Sequence, residues 1–315
     1  MHVDVLGPIR VHVDGVDVVL SASKERALAA ALALNAGAVV SPNALIDALW
    51  GDVPPASARK TLQTYVSNLR RALGSETVET DPNGYVLNVD RDAVDVWRFR
   101  RLVRDGEDAL RSGATGEARE QFAAAIALWR GDPFGGVATH AGLAGDAVRL
   151  REEYVSALEG RCAAELAAGR HAELVGELEA LVREFPYRER LWGHLIVALY
   201  RSGRQADALA ACERVRVQLR DELGLEPGGE LRRIQRAVLE QDDTGGVGAV
   251  SDTAQPCRSD QRCDTRASTR CTSRTRSSAT VRSMSSRCRV SCRISTCGGT
   301  RRPTRSYGGS PRSAA

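Results

Sequence analysis

The chain has 315 residues, 27% of them charged, and a formal net charge of +4. That length holds about two domains. No stretch approaches the ~18 apolar residues of a bilayer span and no export signal opens the chain, so a cytoplasmic protein with no membrane partner is expected. The charge is uneven: residues 245–315 carry fourteen Arg against three Asp, while the first 244 hold thirty basic and thirty-seven acidic residues. Any nucleic-acid surface on the body must therefore be a local patch, not a global field.

Valines alternate over residues 2–20, with Gly7-Pro8 and Asp14-Gly15 as turns, which predicts a small antiparallel sheet. Residues 23–35, rich in Ala and Leu and closed near Asn35-Ala36-Gly37, read as a first helix. Its Lys24 and Arg26 are taken as solvated charges. A second helix runs from Pro42 to Trp50, with Ser41 as N-cap, Pro42 in its first position and Gly51 at its end. Asp52-Val53-Pro54-Pro55 then forms a short rigid loop.

The next helix, Ser57 to Leu73, repeats Leu62, Val66, Leu69 and Leu73 at helical spacing, so that stripe faces a core. The other face carries Arg59, Lys60, Gln63, Thr64, Ser67, Asn68, Arg70 and Arg71, with no acidic residue. Such a face suits a major groove: cations meet phosphates, while amides and hydroxyls read base edges. A solvated basic face is the bland alternative, and the neighbouring elements weigh against it. Thr77 to Thr80, the turn Asp81-Pro82-Asn83-Gly84, and Tyr85 to Val89 predict a β-hairpin. Helix, loop, basic helix and hairpin is the order of a winged helix-turn-helix.

These residues carry a resemblance. LIDALWGDVPPASARKTLQTYVSNLRRALG followed by NGYVLNV resembles the OmpR-type winged helix of the Streptomyces antibiotic regulatory proteins, activators of the AfsR/DnrI/RedD type. VLGPIRVHVDG, GDPFGG and DELGLEPGGELRRIQ resemble the same family, so the likeness runs over roughly residues 1–242. The resemblance implies that the opening sheet packs ahead of the three helices and that Gln63, Thr64, Ser67 and Asn68 face the groove. Arg59, Lys60, Arg70 and Arg71 lie towards the helix ends, where the groove walls put phosphates. It also implies that the connection before the basic helix faces the RNA polymerase sigma subunit, which marks Asp47, Asp52 and Val53 as polymerase contacts. Binding to direct repeats of double-stranded DNA, with self-association there, is implied by the same likeness. One departure stands out: Asp81 occupies the wing where many OmpR-type domains carry a cation.

From Asp95 strand signals vanish. Helical pairs are predicted at 95–112 with 115–130, 144–168 with 171–184, and 188–201 with 204–222, closed by a helix from Glu230 to Leu239. LWGHLIVALYRSGRQADALAACERV resembles a tetratricopeptide repeat, with Trp192, Gly193 and Tyr200 near the expected positions. In the family this region is the bacterial transcriptional activation domain, a stacked array suited to protein partners. Trp129, Trp192 and Tyr200 read as core, and Cys162 and Cys212 as buried free thiols.

The tail has no Leu, Phe or Trp after position 250 and is dominated by Arg, Ser and Thr, which predicts disorder. Its six cysteines (257, 263, 271, 288, 292, 297) contain no Cys-x2-Cys pair, so no metal site is assigned. An Arg-, Ser- and Cys-rich stretch of this kind is what a GC-rich gene yields when read out of frame. No phosphate loop, nucleophile elbow or zinc-protease motif occurs, so neither a cofactor nor an enzyme is expected. A phosphorelay receiver is missing as well. The expected fold class is an α+β N-terminal winged helix-turn-helix (1–92), an all-α tetratricopeptide-like helical-repeat domain (93–243) and a disordered C-terminal tail (244–315). The expected function is a DNA-binding transcription activator of a biosynthetic gene cluster. The alternative is a helical-repeat adaptor whose winged helix binds protein.

Overall fold

Alternating valines build the first element of the structure, a computed structural model that describes residues 1–140 and 142–241. β1 (His2–Asp4), β2 (Arg10–Val13) and β3 (Val16–Val18) form an antiparallel meander, with Val3 opposite Val11 and Val13 opposite Val16. Asp14 and Gly15 join β2 to β3 with φ of 51° and 81°, the left-handed pair that a two-residue hairpin matching the strand twist requires.

Three helices follow. α1 (Ser23–Leu34) is buried on every side from Ala27 to Leu34, as expected of a helix apolar all round. α2 (Pro42–Trp50) begins where the Ser41 hydroxyl accepts from the Ala44 amide at 3.2 Å. α3 (Ala58–Leu73) buries Ala58, Leu62, Val66, Leu69 and Leu73 along one stripe. β4 (Val78–Asp81) and β5 (Gly84–Leu87) form the hairpin wing, in register Val78 to Leu87. The wing is seated on the body by Val40 and Tyr85, which exchange both amide bonds at 2.9 and 3.0 Å. A Cβ at Gly84 would fall 2.0 Å from the Val40 carbonyl oxygen, so only glycine fits there.

Lys24 and Arg26 depart from expectation. The Lys24 ammonium donates to the Leu49 carbonyl and lies over the Trp50 ring, while Arg26 donates to Leu20 and Ser21 carbonyls at 2.9 and 3.0 Å. Carbonyls at the end of α2 and just before α1 capture both cations.

The second half is helical throughout: α4 (Asp95–Arg111), α5 (Thr115–Ala127), α6 (Ala144–Ala167), α7 (His171–Glu184), α8 (Glu189–Arg201), α9 (Gln205–Leu223) and α10 (Gly229–Glu240). Gly113, Gly169 and Gly203 end the first helix of successive pairs at φ of 81°, 80° and 77°, one left-handed glycine per repeat. Trp192 is 4% exposed and the two thiols are buried; burial pushes Cys162 up to about 12 and Cys212 up to about 11, so both stay protonated. Among the described residues no helix is long and apolar enough to cross a membrane. The expected disordered tail and its six cysteines lie outside the described residues.

The hydrophobic core does not stop at residue 92. Val3, Val5, Leu28, Leu62 and Leu87 share one cluster with Val94, Val96 and Phe99 around the start of α4, with Phe134, and with Leu143 and Leu150 around α6. A polar clamp reinforces this union. The Asp95 carboxylate, 3% exposed, accepts the Val5 amide at 2.8 Å and the Leu6 amide at 2.9 Å. Arg130 lies 3.4 Å from it and donates to the Pro8 carbonyl at 3.0 Å. Burial pushes the Asp95 carboxyl above the usual carboxylate range, while the Leu6 and Val5 amides pull it back.

His194 of α8 gives the fold a pH dependence. Its Nδ1 is buried without a partner among the described residues, and burial with the nearby Arg190 lowers its pKa from 6.5 to about 4. The unfolded chain therefore binds this proton more readily, so stability present above pH 6.5 is lost as pH falls towards about 4. Urea titrations across that window should show the loss, and His194→Leu should flatten it.

Candidate nucleic-acid interface

The amphipathy of α3 fixes which side chains face outward. Arg59, Lys60, Gln63, Thr64, Ser67 and Arg71 are exposed, while Asn68 and Arg70 are half-buried at the edges of that face. The Thr64 and Ser67 hydroxyls donate back to the Lys60 and Gln63 carbonyls at 3.2 and 3.0 Å, which leaves their lone pairs turned to solvent as acceptors. Arg59 reaches the Asn43 side-chain oxygen at 3.2 Å and so ties the start of α3 to α2.

Two more residues of the expected set are held by neighbouring elements. Arg70 donates through Nε to the Val78 carbonyl at 2.7 Å and through Nη2 to the Thr80 hydroxyl at 2.6 Å. It bolts the helix to the wing, where a phosphate contact was expected. Asn68 donates from Nδ2 to Glu25 Oε1 at 2.7 Å, and its Oδ1 accepts from Arg71 at 3.4 Å. Glu25, from α1, carries no mark in the sequence because nothing in local spacing couples positions 25 and 68. Arg59, Lys60 and Arg71 remain the exposed cations of the helix.

The expected polymerase side lies at the end of α2. Asp47 and Asp52 are exposed and Val53 is 83% exposed. Trp50 stacks on Tyr65 of α3 with centroids 6.3 Å apart, which anchors the loop between the two helices. The Gly142 amide donates to the Ala48 carbonyl at 2.8 Å, so backbone from the helical half rests on the last turn of α2.

Comparison with known proteins decides the family. Residues 17–87 match the family described as transcriptional regulatory protein, C terminal, and residues 94–239 match the bacterial transcriptional activator domain. The chain is 41% identical over 255 residues to the regulatory protein DnrI of Streptomyces peucetius, covering 77% of this chain and 93% of DnrI. It belongs to the Streptomyces antibiotic regulatory protein family. The regulatory protein AfsR of Streptomyces coelicolor is 40% identical over 239 residues, 76% of this chain and 24% of AfsR. A solved structure, Mycobacterium tuberculosis EmbR in complex with low affinity phosphopeptide, superposes with a TM-score of 0.74 at 37% identity, over 77% of this chain and 65% of that one. This member of the family thus spans nearly all of DnrI, about two-thirds of EmbR and a quarter of AfsR. The relatives it resembles are regulatory proteins, and its helical half matches a transcriptional activator domain. Its winged helix and helical activation domain are the two parts that this family joins.

Proposed function

We propose that this regulator reads double-stranded DNA through α3, binds direct repeats head to tail, and recruits RNA polymerase through the end of α2 to activate a biosynthetic gene cluster. It acts in the cytoplasm and needs no cofactor. The observation that carries this reading is the exposed face of α3: three cations, two hydroxyls and an amide, with no acidic residue in the helix, held on a packed core. Cations there neutralise phosphates, while Gln63, Thr64, Ser67 and Asn68 offer the donors and acceptors that base edges match.

Footprinting on genomic DNA tests it directly. Protected direct repeats upstream of biosynthetic genes are the expected outcome. A chain that protects nothing and instead retains a protein partner through its winged helix is the adaptor outcome, and it overturns the proposal.

The division of labour within α3 has its own signature. Arg71→Ala should weaken all sequences alike and lower the log–log salt slope by roughly one. Arg70→Ala should change that slope less and loosen the wing, because its guanidinium is spent on Val78 and Thr80. Salt titration of both variants on one duplex separates the two roles; a larger slope change for Arg70→Ala refutes the assignment.

Head-to-tail neighbours need half-sites about one helical turn, ~10–11 base pairs, apart. Inserting half a turn between repeats should abolish cooperative binding in a gel shift, whereas unchanged cooperativity would require a flexible tether.

A further inference from the structure

On the DNA-reading role proposed for α3, we further propose that Glu25 is a specificity-determining positioning residue, which sets how Asn68 meets a base. Its Oε1 lies 2.7 Å from Asn68 Nδ2. A carboxylate only accepts, so the amide turns its NH2 towards Glu25 and its carbonyl oxygen away. A free asparagine amide turns about a broad, nearly two-fold torsion. Here one orientation is held before DNA arrives, and the ordering cost of binding falls accordingly.

The held orientation has a definite reading chemistry. One hydrogen of the NH2 is spent on Glu25 and the second stays available to adenine N7. The outward Oδ1 accepts from the adenine amino group, displacing the long 3.4 Å contact from Arg71. The carboxylate also repels phosphate, which keeps Asn68 over base edges and off the backbone. Glu25 is well placed for this role. It lies in the first turn of α1, where the helix dipole favours an anion, just ahead of the buried run Ala27–Leu34 that fixes the helix in the core.

A double-mutant cycle tests the proposal. The full chain first selects duplexes from a randomised pool, which defines the preferred operator. Wild type, Glu25→Ala, Asn68→Ala and the double variant are then titrated on operators bearing each of the four base pairs at every position. Glu25→Ala should lose about tenfold of discrimination at the same single position at which Asn68→Ala acts, and should gain affinity for random duplex at low salt. The double variant should discriminate there no worse than Asn68→Ala alone. A uniform loss on all duplexes with a lower melting temperature would make Glu25 a support for α1 only and overturn the proposal. So would a Glu25 effect that persists in full without Asn68. If wild type selects no preferred sequence, the DNA-reading role itself fails and the inference falls with it.

Discussion

Asp95→Ala should lower the unfolding free energy by about 2–5 kcal/mol, mainly because it leaves two buried amides without an acceptor. The loss has three parts: the Val5 and Leu6 amides lose their acceptor, and Arg130 loses the nearer of its two carboxylates, keeping Asp4 at 3.9 Å. Unsatisfied buried donors each cost about 1–3 kcal/mol, so the parts are of the right size to reach that total. Asp95→Asn keeps an acceptor oxygen and the shape of the side chain, so it should cost less. Urea denaturation of the three proteins measures both steps. An alanine variant within about 1 kcal/mol of wild type would mean that water enters and replaces the carboxylate.

The second large effect concerns activation. Replacing Asp47 and Asp52 together with alanine should abolish promoter activation while leaving DNA affinity unchanged. Both carboxylates are exposed, and Val53 beside them is exposed as well. An anionic pair next to an apolar side chain complements a basic surface with an apolar notch, and such charges act mainly on the rate and register of docking. In vitro transcription and a gel shift on the same preparation supply the two readouts. Melting curves guard against damage to the last turn of α2, on which the Gly142 backbone rests. Equal loss of transcription and binding would refute a polymerase role for these residues.

Helices and hairpins were legible because their signals are local. The Leu62, Val66, Leu69, Leu73 stripe, the Ser41-Pro42 start and the glycine that closes the first helix of each pair all act within a turn or two of chain. The exposed face of α3 was legible for the same reason. What its residues hold was not. Asn68 answers to Glu25 across 43 positions, Asp95 answers to Val5 across 90, and Lys24 answers to a carbonyl freed by the end of α2. Such pairings depend on which elements the core brings together, and no periodicity records them. Arg70 shows the boundary most clearly: its place on the helix was readable, but whether its guanidinium faced a phosphate or the wing depended on the hairpin folding back.

The core that runs from Val3 through Phe99 to Leu150 packs the winged helix directly against the first helical pair, so the two move as one body. On the DNA-reading role proposed for α3, this has a consequence for promoter architecture. Slack that a jointed protein would absorb must instead be absent from the DNA. Each base pair added between operator and promoter shifts the protein by about 3.4 Å and turns it by about a tenth of a revolution. Activation should therefore respond to operator spacing as a comb, with teeth one helical turn apart and little activity between them.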